Sequence, residues 1–287
     1  MIVVGGCDIG SAAGKAVVMK DGEIASYAIV MSTTRPEVTA RLAMDEAIKK
    51  ADLASIDDLG FIVGTGYGRL KVPFAKENIS EITCHARGAH WLCGTVRTVM
   101  DIGGQDCKAI SVSSNGKVND FVMNNECDAG TGRFFEGMAR VLGCGLEGLS
   151  HLGLESTRPA KISDQCSVFA KSEVIISFNE GVMALTPHCG LPSRESEVIT
   201  LVNEGVPLPD IVAGLNQSIA GRLASMVGRV VLVEDVALTG GCAKNQGLVR
   251  ALQDKLQVKV ITLPEDPQIA GALGAALIAR EKLDRQS

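Results

Sequence analysis

The sequence predicts an α/β protein in two halves, each built on a β-meander, and three observations carry that prediction. Apolar residues make up 46% of the 287 residues but aromatics only 3%, and there are 32 glycines. Such cores must rely on Ala, Val, Ile and Leu and on close backbone approach. An apolar strand delivers Asp8-Ile9-Gly10 into a glycine turn, and the same pattern returns at Asp101-Ile102-Gly103. An internal repeat of this kind implies two equivalent units. Finally, an apolar strand at 235–238 enters Thr239-Gly240-Gly241 ahead of a helix.

Composition also excludes partners. The net charge is −5 and no Lys/Arg-rich run is present, which argues against nucleic acid. The first residues, Met1 to Asp8, lack a basic n-region and meet a charge early. No uncharged apolar run approaches the length of a membrane span. A cytoplasmic protein with no membrane contact is expected. The nine cysteines are Cys7, Cys84, Cys93, Cys107, Cys127, Cys144, Cys166, Cys189 and Cys242. An odd number in a chain of this size is no disulfide framework, and most are expected to be small buried hydrophobes.

Residues 1–30 read as the first meander: apolar 2–4, a turn over 8–14, apolar 16–19, the turn Lys20-Asp21-Gly22 and a strand over 23–30. In the first turn a carboxylate at a strand end precedes small residues, Gly10, Ser11, Ala12, Ala13 and Gly14, then Lys15. Their N–H groups suit a polyphosphate, and Asp8 suits a hydrated Mg²⁺. Taken alone, such a hairpin is more often a plain tight turn. Pro36 opens an amphipathic helix to about Ala51. A strand at 61–64 runs into Gly64-Thr65-Gly66-Tyr67-Gly68-Arg69, but no long helix of dinucleotide-fold spacing follows, so a Rossmann reading is rejected. A short helix is expected over 84–91. Its His85 and His90 are poorly spaced for a metal pair and read as satisfied structural histidines.

The second meander runs through 98–123 with turns at Gly103-Gly104-Gln105-Asp106 and Asn115-Gly116. Two aspartate–glycine hairpins in two halves can grip one polyphosphate and its Mg²⁺ from opposite sides. The glycines of Thr239-Gly240-Gly241-Cys242-Ala243-Lys244-Asn245 let a base and ribose lie against backbone. The small-residue helix of 269–276 suits close packing, at an interdomain hinge or as plain helix packing. Between these lies Asn125-Glu126-Cys127-Asp128-Ala129-Gly130-Thr131-Gly132-Arg133-Phe134, a cysteine just before a Gly-Thr-Gly turn that opens a helix. Helix N–H groups there converge on both a thiolate and a phosphate.

With two phosphate hairpins and a glycine adenosine turn in this order, the chain resembles the actin, Hsp70 and sugar-kinase superfamily over nearly its whole length. Within it, the segments around Asp101, Cys127 and Cys166-Ser167-Val168-Phe169-Ala170-Lys171 resemble a narrower group. These are the activators of 2-hydroxyacyl-CoA dehydratases and the related ATPase subunits of benzoyl-CoA reductases. The resemblance implies a two-domain fold closing on an interdomain nucleotide cleft, with Cys127 and Cys166 as ligands of a [4Fe-4S] cluster shared by a dimer. The chemistry agrees, because such a cluster takes four thiolates and two per chain are completed by two chains. It further implies ATP-driven electron transfer, with ferredoxin or flavodoxin as donor and an iron–sulfur dehydratase or reductase component as acceptor.

On that pattern Asp8 and Asp101 hold the Mg²⁺ water shell, and Gly10, Ser11, Lys15, Gly103, Gly104 and Gln105 surround the ATP or ADP phosphates. Asp101 or Gln105 orients the attacking water. Gly130, Thr131 and Gly132 lie near the nucleotide, and Gly240, Gly241 and Lys244 or Asn245 face the nucleoside. The expected domains are 1–95 plus 265–287, and 96–264. Residues 182–196, with His188 and Cys189, depart from the compact activators as an insertion, either a partner-docking loop or a longer connection. The alternatives are a subunit of a benzoyl-CoA reductase, which includes a heterodimer of homologous ATPases, a sugar or small-metabolite kinase, and a non-catalytic nucleotide sensor.

Overall fold

The computed structural model describes residues 1–124, 131–162, 194–230 and 232–286. In the first sheet β1 (Val3–Ile9), β2 (Ala13–Lys20) and β3 (Glu23–Met31) form an antiparallel meander. β4 (Phe61–Thr65) and β5 (Glu77–Asn78) join in parallel on the other side of β1, giving the order β3-β2-β1-β4-β5. The second sheet repeats this order with β6 (Thr98–Ile102), β7 (Cys107–Val112), β8 (Val118–Asn124), β9 (Val236–Thr239) and β10 (Val260–Ile261), as β8-β7-β6-β9-β10. The duplicated meander expected from sequence is therefore present, and the duplication extends to the parallel strands beside it.

Local chemistry fixes these elements. Asp21 and Gly22 both have positive φ, 50° and 99°, the pairing that lets a tight hairpin follow the right-handed twist of its strands. β1 runs further than the apolar 2–4 read from sequence, because Gly5 and Gly6 sit inside the sheet, Gly5 under the side chains of Leu59 and Met44 and Gly6 with the last helix against it.

The helices are α1 (Pro36–Lys50), α2 (Glu81–Leu92), α3 (Gly132–Val141), α4 (Leu146–Leu152), α5 (Arg194–Asn203), α6 (Leu208–Val227), α7 (Gln246–Leu256) and α8 (Ala270–Asp284). α1 buries Ala40, Ala43, Met44 and Ala47 against β1 and β2. Of the face its periodicity predicts, Val38, Leu42, Ala43, Ala47 and Ile48, the last three are buried but Leu42 is 50% exposed, so the buried stripe lies rotated from the predicted one. α2 starts earlier than expected because the Ser80 hydroxyl accepts from the Ile82 N–H and caps it. α8 buries an unbroken run from Ala270 to Ala276. The small residues serve close packing: a Cβ at Gly274 would overlap the carbonyl oxygen of Cys84 on α2. α2 lies between the halves, with Cys84 in the core around α8 and Ala86 and Ala89 in the core with Val99 and Ile110 of the second sheet. Among the described residues no helix is long and apolar enough to cross a membrane.

Candidate functional site

Both glycine hairpins open into one cleft of about 1220 Å³. In the first, strand register sets Lys15 directly across from Asp8, and its Nζ lies 2.9 Å from Asp8 Oδ2. Asp8 is 3% exposed, and among the described residues its Oδ2 accepts no hydrogen bond of good geometry besides this ion contact. Gly66 and Gly271 lie so close that a Cβ on either would press on the Asp8 carboxylate.

The second hairpin repeats the arrangement. Lys108 stands directly across from Asp101, with Nζ 3.1 Å from Asp101 Oδ2. Here the lysine is 2% exposed and also meets Asp106 Oδ1 at 3.0 Å and Glu81 Oε1 at 3.6 Å. The other oxygen of Asp101 accepts from Thr239 Oγ1 at 2.9 Å and lies 3.3 Å from His85 Nδ1. His85 Nδ1 is also 3.0 Å from Thr239 Oγ1. Burial alone would raise the Asp101 carboxyl, but His85, Lys108 and the Thr239 hydroxyl outweigh it and hold the group well below the usual carboxylate range. Burial likewise disfavours the Lys108 ammonium, and the carboxylates of Asp101, Asp106 and Glu81 reverse that, keeping it charged well above the ordinary lysine range. Burial pushes the Glu81 carboxyl up, against the pull of Lys108.

The third wall is the turn after β9. Gly240 has φ +84°, and a Cβ there would run into the Ile102 carbonyl, so the turn requires glycine. Lys244 Nζ meets Asp266 Oδ2 at 2.5 Å and Gln268 Oε1 at 2.8 Å. The Asn245 amide is engaged as the cap of α7: its Oδ1 accepts from Leu248 N at 3.1 Å and its Nδ2 donates to Asn216 Oδ1 at 3.1 Å.

At the start of α3, Gly132 N donates to Gly103 O at 2.8 Å and Arg133 N to Gly104 O at 3.0 Å. The hairpins meet here, since a Cβ on Gly104 would sit 2.6 Å from Ser11 Oγ and 2.8 Å from Ala12 Cβ.

Asp8, Gly10, Ser11 and Lys15 line the cleft together with Asp101, Gly103, Gly104, Gln105 and Gly132, and so do Gly240, Gly241, Lys244 and Asn245. Thr131 is buried at the cap of α3. Cys127, Cys166, Gly130 and residues 182–193 lie outside the described residues. Sequence reading missed Lys108, Glu81 and Thr239 and took His85 as purely structural, as it did His90, whose Nδ1 finds no partner among the described residues. The signal for Lys108 was available: it follows Asp101 at the spacing at which Lys15 follows Asp8.

These residues fit a magnesium–nucleotide ligand. Four carboxylates, Asp8, Asp101, Asp106 and Glu81, face two ammonium groups, an excess of negative charge suited to a divalent cation. The glycine turns bring backbone to the cleft wall where phosphates and a ribose need close approach. Four of the six described thiols are poorly placed for metal ligation. Cys7, Cys84, Cys107 and Cys242 are buried, and burial pushes their thiols up, to about 12 for Cys84 and Cys242.

Two acidic hairpins and a glycine turn closing on one cleft between duplicated sheets define a nucleotide-cleft α/β protein of the actin, Hsp70 and sugar-kinase type. The chain belongs to the BadF/BadG/BcrA/BcrD ATPase family, whose model matches residues 6–186 and 194–279. The break between the two matched parts falls inside the 182–196 stretch singled out as an insertion. The chain is similar to the activator of lactoyl-CoA dehydratase of Anaerotignum propionicum, with 41% identity over 98% of each chain. It is similar also to the solved (R)-2-hydroxyglutaryl-CoA dehydratase component A of Acidaminococcus fermentans (TM-score 0.86, 38% identity, 99% and 100% covered). The activator of 2-hydroxyisocaproyl-CoA dehydratase from Clostridium difficile with bound ADPNP gives TM-score 0.86 at 35% identity, with 99% and 97% covered. At greater distance stands one of the subunits of benzoyl-CoA reductase from Thauera aromatica, 30% identical over 99% and 96%. A glucokinase of the ROK family from Streptomyces griseus shares the fold alone, with TM-score 0.52 at 13% identity over 97% and 99%.

Proposed function

We propose that this chain is an ATP-hydrolysing iron–sulfur activator that passes low-potential electrons to a 2-hydroxyacyl-CoA dehydratase. The observation that carries the reading is the pair of Asp–Lys hairpins facing each other across the cleft, in a chain that aligns end to end with such activators. Asp8 and Asp101 hold the water shell of Mg²⁺, while Gly10, Ser11, Lys15, Gly103 and Gly104 surround the phosphates. Asp101, whose Oδ1 is engaged by Thr239 and His85 and whose Oδ2 is engaged by Lys108, or Gln105 beside it orients the attacking water. Gly240, Gly241 and Lys244 take the nucleoside, and Asn245 serves the turn as a cap.

A homodimer would hold one [4Fe-4S] cluster by Cys127 and Cys166 of each chain. That cluster supplies one-electron transfer. The burial of Cys7, Cys84, Cys107 and Cys242, together with the lack of any group of three or more metal-capable side chains among the described residues, supports placing the ligand role elsewhere in the chain. Closure of the cleft on ATP reaches Cys127 through Gly132 and Arg133, which are bonded to the second hairpin. The donor is a cytoplasmic ferredoxin or flavodoxin. Identity favours a separate activator over a component of a benzoyl-CoA reductase.

The test is anaerobic incubation with a one-electron donor, Mg-ATP and, in turn, purified lactoyl-, 2-hydroxyisocaproyl- and 2-hydroxyglutaryl-CoA dehydratases. Dehydration should begin with ATP and fail with a non-hydrolysable analogue. A protein that hydrolyses ATP yet starts none of them, and co-purifies with larger iron–sulfur subunits, would instead be part of a reductase.

A further inference from the structure

The duplication carries a second lysine whose task differs from that of the first. Asp8 and Lys15 oppose each other across β1 and β2, and Asp101 and Lys108 oppose each other across β6 and β7. Each lysine reaches the Oδ2 atom of its aspartate, at 2.9 and 3.1 Å. Beyond that the pairs diverge. Among the described residues Lys15 has one carboxylate partner and one further polar contact, the Ala13 carbonyl at 3.3 Å, and it keeps 12% of its side-chain surface. Lys108 keeps 2% and is held by three carboxylates.

We propose that the two lysines divide the work of the cleft: Lys15 reaches the nucleotide phosphates, and Lys108 is a positioning residue that fixes Asp101. The proposal rests on the ATPase reading above and adds to it. A lysine bound to one carboxylate at the cleft wall can exchange that contact for a phosphate oxygen by rotating its terminal bonds. A lysine held on three sides in a buried site would have to give up three charge-assisted contacts for one. What Lys108 does hold is geometry. Asp101 Oδ2 is anchored by its ammonium, and Oδ1 by the Thr239 hydroxyl and the His85 ring. The carboxylate therefore presents one orientation to the cation's water shell, and small misplacements of such a group cost turnover rather than affinity.

The two lysines thus predict opposite kinetic signatures. Lys15→Met should raise the KM for ATP and the Kd for ADP by roughly tenfold or more, the loss of a hydrogen bond to a charged group. Lys108→Met should lower kcat by about a hundredfold, the penalty for a misplaced reacting geometry, and leave the ADP Kd within a few-fold. Lys108→Arg should not restore kcat, since the buried site fits a compact ammonium and not a planar fork. Equal loss of ADP affinity in both variants, or an unchanged kcat in a Lys108→Met chain that binds ADP normally, overturns the division.

A measurement on the unmodified chain covers the case in which Lys108 variants do not fold. Reductive methylation read by mass spectrometry should modify Lys15 in the nucleotide-free protein and spare it with Mg-ADP, while Lys108 stays unmodified in both. Methylation of Lys108 that nucleotide suppresses would make it a phosphate ligand and end the proposal. If the wild-type chain neither binds ADP nor turns over ATP, it is the ATPase reading that fails.

Discussion

Arg133 Nη2 donates to the backbone carbonyl of Ser11 at 3.1 Å and so ties the first turn of α3 to the hairpin of the opposite half. The main-chain N–H groups of Gly132 and Arg133 meanwhile hold Gly103 and Gly104 of the second hairpin. One short segment therefore touches both hairpins, and Cys127, proposed above as a cluster ligand, precedes it by only a few residues in sequence.

This predicts a separation between stability and coupling. Arg133 is solvent-exposed, so Arg133→Ala should change folding stability by no more than about 1 kcal/mol. Hydrogen exchange of the α3 amides should slow on nucleotide binding in the wild type. In the variant that slowing should shrink while ADP still binds. Equal protection in both proteins would show that the arginine transmits nothing.

Gly274→Ala should destabilise the chain although alanine is the better helix former. The intrinsic gain is about 1 kcal/mol, but the added methyl group meets the backbone oxygen of Cys84, which cannot rotate away. Overpacking of this kind costs typically 1–3 kcal/mol, occasionally more, and the loss should win. A melting temperature at or above wild type would mean that α2 and α8 separate more easily than their packing implies.

The duplicated meander was legible because Asp-Ile-Gly after an apolar strand is a local pattern that occurs twice. Lys108 was not, although the repeat pointed to it. A lysine within Cys107-Lys108-Ala109-Ile110-Ser111-Val112 reads as the outward-facing residue of a half-buried strand. Its burial depends on Glu81, which comes from a different element, and on Asp106 across the turn. His85 was assigned to the structure, and it is satisfied, but its partners Thr239 and Asp101 make it part of the cleft wall. The extension of β1 through Gly5 and Gly6 was hidden for a related reason, since what favours glycine at position 6 is the backbone of α8, and at position 5 the side chains of Leu59 and Met44, all far away in sequence.

Stability should fall on the alkaline side. Burial raises the folded-state values of Cys7, Cys84, Cys107 and Cys242 above the ordinary thiol value near 9.0, to about 12 for Cys84 and Cys242. Their contribution is complete below pH 9 and is lost as pH rises toward the folded values, because only the unfolded chain can then ionise. Each such thiol adds a slope of about 1.4 kcal/mol per pH unit in that window. Lys108, whose folded value is also raised, acts in the same direction from its ordinary value of 10.5 upward. Urea unfolding between pH 8 and 10.5 under reductant should show this decline, and Cys242→Ala should make it shallower. A flat profile would mean that water reaches these thiols in the folded state.

The most direct test of the central claim is anaerobic purification with iron, sulfide and oligomer mass determined on the wild type, Cys127→Ala and Cys166→Ala. A dimer-bridging cluster predicts about four irons per dimer in the wild type, lost in either variant while ADP binding remains. An iron-free wild type that cannot be reconstituted, or iron retained in both variants, would contradict it.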